Sequence, residues 1–193
     1  MTLSALGIFS AAGAVGAPQT YELISTTILG STTSTVTFDT TGLGSTYRHL
    51  QMRAVTRTNR SNYEVDGLSI RFNGDSGNNY SFHVLYNATT ESYFNAGNQS
   101  IIWVPSTAGN TAPSNVFGPA VIDFFDAFST TKNKTIRTLC GLNAGGTGLV
   151  LNRIHLDSGT WYNTAAITSI SITATESTGF VAGNRFSLYG IRG

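Results

Sequence analysis

Charge is what this 193-residue chain has least of: 11% of its residues are charged, against roughly 25% in an average soluble domain. Lysine is nearly absent, with Lys132 and Lys134 alone, and arginine carries the rest of a positive charge that nets only +1. A nucleic-acid groove needs a concentrated basic face, so nucleic acid is not an expected partner. Arg48, Arg53, Arg57, Arg60 and Arg71 do gather in one stretch, but Glu64, Asp66 and Asp75 lie among them. An arginine-rich subunit contact is the expectation there, because the guanidinium fork suits buried ion pairs. The single cysteine, Cys140, rules out an internal disulfide and a cysteine zinc cluster. It shares the parity of Ile136 and Thr138 in a strand-like run and is expected to be buried and inert. No apolar run approaches the roughly 20 residues needed to cross a bilayer as a helix, so no membrane partner is expected.

Titratable groups are equally sparse. The histidines are His49, His83 and His155, scattered through three separate runs. "HLD" sets His155 and Asp157 on one side of a strand, but no third ligand follows by spacing. Ordinary surface pairing is the expectation for these two. "NGDSGNN" lacks the alternating oxygen ligands of a calcium loop and reads as a tight turn, since Asn, Gly and Asp tolerate positive φ. "GLNAGGTGL" at 141–149 has no Lys-Ser/Thr pair after it, so it reads as a strand connection rather than a phosphate loop. No catalytic, metal-binding or cofactor-binding residue emerges, and enzymatic activity is not expected. Tyr63, Tyr80, Tyr86 and Tyr93 sit in or near turns and strand ends. Aromatics beside neutral amides suit protein interfaces, with glycan contact as the second reading.

What the chain does have is period-two alternation. Val36 and Phe38 share a face, as do Leu50, Met52 and Ala54, and Leu68, Ile70 and Phe72. "YSFHVLYN" reads as a return strand after the turn, "QSIIWVPS" as a short strand halted at Pro105, and "GPAVIDFFDAF" as a strand buried on both sides or a helical turn. "NKTIRTLCGL", "GLVLNRIHL", "TSISITAT" and "RFSLYGIRG" complete nine or ten strands. Loops are expected at 57–66 and 105–119. The fold class is therefore all-β, an antiparallel β-sandwich of jelly-roll type over residues 21–193. Residues 1–20 read as an uncharged, Gly/Ala-rich arm. A secretion signal fits poorly, since the basic start is missing and Pro18 would follow the cut. Chain ends fray unless a sheet ties them down, and "NRFSLYGIRG" carries a strand pattern almost to its last residue.

"YRHLQMRAVTR", "LSIRFNGDSGNNYSFHVLY" and "NRFSLYGIRG" together resemble a widespread group of virion structural proteins of tailed bacteriophages, seen as capsid decoration (cement) or tail-associated proteins. The resemblance covers about 40 residues in the same order, and implies a β-sandwich that assembles on a virion without catalytic residues. The expected function is a cement protein, a homotrimer stabilising the head by bridging major capsid proteins, since closed rotational symmetry suits a local three-fold position. Leu3, Leu6, Ile8, Phe9 and Val15 are the expected apolar anchors of the arm on its partner. The alternative is a tail fibre, baseplate or receptor-binding module whose loops contact host-surface glycans.

Overall fold

A strand buries one face and wets the other, so alternating sequences settle into sheets stacked face to face. The computed structural model describes residues 20–87, 91–143 and 152–193. In chain order the strands are β1 (Tyr21–Ile28), β2 (Thr35–Asp39), β3 (His49–Thr56), β4 (Val65–Phe72), β5 (Tyr80–Asn87) and β6 (Glu91–Gln99). They continue as β7 (Ile102–Ala108), β8 (Gly118–Phe125), β9 (Lys134–Asn143), β10 (Asn152–Trp161), β11 (Ser169–Ala174) and β12 (Arg185–Ile191). A single 3-10 turn, Leu43–Ser45, is the helical element among the described residues. An eight-stranded sheet runs β1-β12-β3-β8-β9-β10-β5-β6 and a four-stranded sheet runs β2-β11-β4-β7. Every pairing within them is antiparallel. An antiparallel sandwich is what forms, its sheets holding eight and four strands.

The core lies between the sheets. Leu50, Met52, Ile122, Phe124, Phe186 and Leu188 of the large sheet meet Phe38, Leu68, Ile70, Phe72, Ile170 and Ile172 of the small one. Each such side chain contributes roughly 1.5–3 kcal/mol by leaving water. Trp161 anchors one end, stacked on Tyr80 with centroids 6.2 Å apart and packed against Phe72 at 5.5 Å. β12 lies inside the sheet, with Leu188 paired to Ser25 of β1 on one side and to Met52 of β3 on the other. Residues 185–191 are thus tied down on both flanks.

Several expectations change. β1 and β6, which show little alternation, are strands. Asn73 and Gly74 take φ of 53° and 67°, as a tight turn requires, and Asp75 accepts from Gly77 N, Asn79 Nδ2 and Trp161 Nε1 within 2.8 Å. These bonds occupy the Asp75 carboxylate in holding the turn. The turn does not make a hairpin, however: β4 belongs to the small sheet and β5 to the large one, so the chain crosses the sandwich there. Pro105 does not halt its strand. β7 passes through it to Ala108, and Pro105 falls where the register shifts opposite Asp66 and Leu68 on an edge strand. A bulged edge is where proline is tolerated, because its missing N–H leaves no ladder bond unmade. "GPAVIDFF" is a strand rather than a helical turn. The arm anchors Leu3, Leu6, Ile8, Phe9 and Val15 lie outside the described residues, as do residues 144–151 of the Gly-rich connection.

Candidate functional site

Three connections meet at one end of the sandwich: residues 57–64, 109–117 and 175–184. They are knitted together by buried polar side chains. Asp66 is buried, its Oδ2 accepting from Thr58 Oγ1 (2.8 Å) and its Oδ1 from the backbone N–H groups of Gly67 (2.8 Å) and Glu176 (3.1 Å). Arg57 donates to four carbonyls of the second connection, those of Asn110, Ala112, Pro113 and Val116, at 2.7–3.0 Å. Backbone bonds Gly109 N–H to Glu64 O (2.8 Å) and Asn110 N–H to Arg60 O (3.0 Å) close the first connection on the second. Gly109 is obligatory, since a Cβ there would run into the Tyr63 carbonyl. A small apolar cluster of Val65, Ala108, Ala112 and Leu142 sits beneath.

This rigid frame surrounds a cavity of about 440 Å³ lined by Arg60, Tyr63, Glu64, Trp103, Arg153 and Glu176, among others. Trp103 is wedged into the wall: a Cβ on Gly67 would collide with its Nε1, and Phe82 meets its ring edge-on at 6.1 Å. The Arg60 guanidinium lies 3.9 Å over the exposed Tyr63 ring and also donates to Val65 O. Arg153 Nε is buried without a hydrogen bond. The arginines gathered in this stretch each make a contact within the chain. Arg71 donates to Ser100 O, Arg48 pairs with Asp126, and Arg53 covers the stacked rings of Tyr21 and Tyr189.

Arg153 also begins a polar row along the inward face of β10. His155 and Asp157 follow it at period two, and both are buried, only 2% and 3% exposed. This overturns the surface placement expected for the pair. β10 is inverted, with Ile154 and Leu156 facing water instead. The cause is register: Gly159 backs onto Ile102 and Trp161 fills the core on the same parity as His155. A one-residue slip would flip every side chain and expel the tryptophan.

Cys140 donates to Asp157 Oδ2 at 3.7 Å, and His155 Nδ1 stands 4.0 Å from Asp157 Oδ1. Among the described residues, both His155 nitrogens, Asp157 Oδ1 and Thr138 Oγ1 find no hydrogen-bond partner. Burial, with Arg153 nearby adding to it, pulls His155 down to about 4, and burial pushes Asp157 up to about 7 despite the Cys140 bond. The thiol faces the carboxyl, the imidazole stacks on Tyr86 at 5.3 Å, and neither is open to a substrate. No group of three or more metal-ligating side chains converges among the described residues.

The inversion leaves a second feature on the outer face. Val121, Leu139, Leu156 and Leu85 stand opposite one another across β8, β9, β10 and β5, with Ile154 beside them. All but the half-buried Val121 are 50–68% exposed. The next row of the same face is polar and bonded, from Tyr21 through Gln51 and Asp123 to Arg137. Of the tyrosines noted in the sequence, Tyr63 reaches the cavity, Tyr80 is core and Tyr86 is half-buried, while the Tyr93 side chain lies outside the described ones. Trp103, Glu64, Glu176 and Arg153 gave no local signal, because only the folded connections bring them together. No protein-family model matches the chain, and no curated protein matches it.

Proposed function

We propose that the chain is a non-enzymatic structural subunit of a tailed-phage particle, a capsid cement protein acting as a homotrimer that bridges major capsid proteins. The observation that carries this reading is the aliphatic ladder of Leu85, Leu139, Leu156 and Ile154 on the outer face of the large sheet. A contiguous exposed patch of this kind marks an interaction surface. Its occupant is the N-terminal arm of a neighbouring copy. Residues 1–19 carry no charge and hold Leu3, Leu6, Ile8, Phe9 and Val15, which match a ladder built from uncharged side chains. At ~3.3 Å per residue such a segment spans about 60 Å when extended, more than the ~35 Å width of eight strands at ~4.8 Å. It is long enough to leave its own subunit.

The resemblance of "NRFSLYGIRG" and its companion segments supports the same class. A tail-borne receptor-binding module is the second reading, and the aromatic cavity favours it. Imaging of particles carrying a label on this protein separates the two. Density over the whole shell is expected, with a trimer in light scattering of the purified protein; label at a single vertex, or a monomer, overturns the cement reading.

A further inference from the structure

We infer that the cavity framed by residues 57–64, Trp103 and Glu176 is a binding site for an uncharged saccharide. The inference deepens the second reading above by giving it a site, and rests on it only for biological placement. A pyranose ring has an apolar C–H face and a girdle of hydroxyls, each both donor and acceptor. A receptor for it needs an aromatic face, acceptors, a donor and walls that do not move.

All four are present. Trp103 and Tyr63 are the aromatic side chains of the lining, with the Arg60 guanidinium over one face of the Tyr63 ring. Among the described residues the side-chain carboxylates of Glu64 and Glu176 take no hydrogen bond or ion pair, and they serve as acceptors. Donors come from the guanidinium groups of Arg60 and Arg153, both in the lining. The walls are held by Asp66, by Arg57 and by the backbone bonds between residues 60–64 and 109–111, so little ordering remains to be done on binding. The volume of about 440 Å³ lies within the roughly 300–1,000 Å³ of small-molecule sites.

Charge selects the class. Two acidic residues, Glu64 and Glu176, and two basic ones, Arg60 and Arg153, line the same cavity. Phosphate, sulfate and nucleic acid meet the carboxylates, and polyamines meet the arginines; like-charge contacts of this kind discriminate against the wrong partner. A purely apolar ligand would leave the Arg153 donor and both carboxylates dry. A neutral, hydroxyl-rich ligand satisfies every group.

The test titrates full-length protein with neutral hexoses, N-acetylhexosamines, a uronic acid and inorganic phosphate, reading ligand-observed NMR and tryptophan fluorescence. The fluorescence response isolates Trp103, because Trp161 is fully buried. Binding of a neutral sugar at millimolar concentration or below is expected, weakened about tenfold by Tyr63→Ala and by Glu176→Gln. Both side chains lie at the rim, and circular dichroism checks that each variant folds. Absence of binding across the neutral sugars, unchanged affinity in both folded variants, or preference for the uronic acid or phosphate overturns the inference. Sugar binding by a protein spread over the whole shell would uphold the site while removing the tail placement.

Discussion

His155 and Asp157 show what a buried, half-bonded pair does to stability. The unfolded chain protonates His155 near its ordinary value, while the fold holds it neutral down to about 4. Below about pH 6.5 the unfolded state therefore takes the proton first, and His155 removes stability as pH falls to about 4. Asp157 acts in the opposite sense. The fold keeps its proton up to about 7, whereas the unfolded chain releases it near pH 4, so stability is lost as pH rises between about 4 and 7. The two slopes oppose each other across nearly the same window. Thermal unfolding of the wild type should be almost flat from about pH 4 to 6.5 and decline slightly toward 7 as far as this pair is concerned. Asp157→Asn should remove the acid's contribution, raising stability by roughly 2–4 kcal/mol near pH 8 and exposing a rise with pH between about 4 and 6.5. A variant no more stable than wild type near pH 8 would contradict the buried, proton-holding carboxyl. Period two was legible at β10, but which parity faced inward was not. Hydrophobicity favoured Ile154 and Leu156, and the decision lay with Gly159 and Trp161, whose partners Ile102 and Tyr80 come from other strands.

Among elements, the strands legible in the sequence are those with one buried face. The two that were not, β1 and β6, are the edges of the eight-stranded sheet. β1 buries none of its residues, and "ESYFNAGNQ" in β6 carries little alternation. An edge strand pairs through its backbone on one side only and is not obliged to alternate; β2, also an edge, alternates and was legible, whereas β1 and β6 do not. The same limit hid the crossing from β4 to β5, since a tight turn between two alternating runs reads as a hairpin unless the sheets are known. β12 is the reverse case. Phe186 and Leu188 are fully buried, and the strand holds β1 to the rest of the sheet. Phe186→Ala should cost about 3–5 kcal/mol, measurable by denaturant unfolding, against a typical total of about 5–15 kcal/mol. Removal of residues 186–193 should leave an insoluble chain, because it strips the core and bares β3 and β1 together. A soluble truncated protein with native circular dichroism would refute the central position of β12.

For the whole molecule the sandwich, its shortage of titratable groups and its tied final strand were readable, while the cavity and the ladder were not, being products of how distant strands register. The ladder also sets the clearest test of assembly. Leu139 and Leu156 are outward, cross-strand neighbours on β9 and β10, so Leu139→Asp with Leu156→Asp opens no cavity. The double variant should therefore still fold, destabilised by roughly 1–3 kcal/mol because two like charges stand opposite each other on strands that disfavour Asp. If each ladder receives the arm of another copy, two carboxylates placed under that apolar segment must be desolvated on contact, and the oligomer should fall apart into monomers. Phe9→Asp should act from the other side of the same contact, weakening the oligomer without altering the melting of the sandwich. Several copies held in one oligomer turn modest capsid contacts into firm attachment, because each later contact is intramolecular. Loss of one anchor per copy should for that reason reduce binding to expanded capsids by far more than it reduces any single contact. Sedimentation and capsid co-pelleting of the two variants measure these effects. Oligomers that persist in both folded variants would place the subunit contact elsewhere and leave the ladder without its proposed occupant.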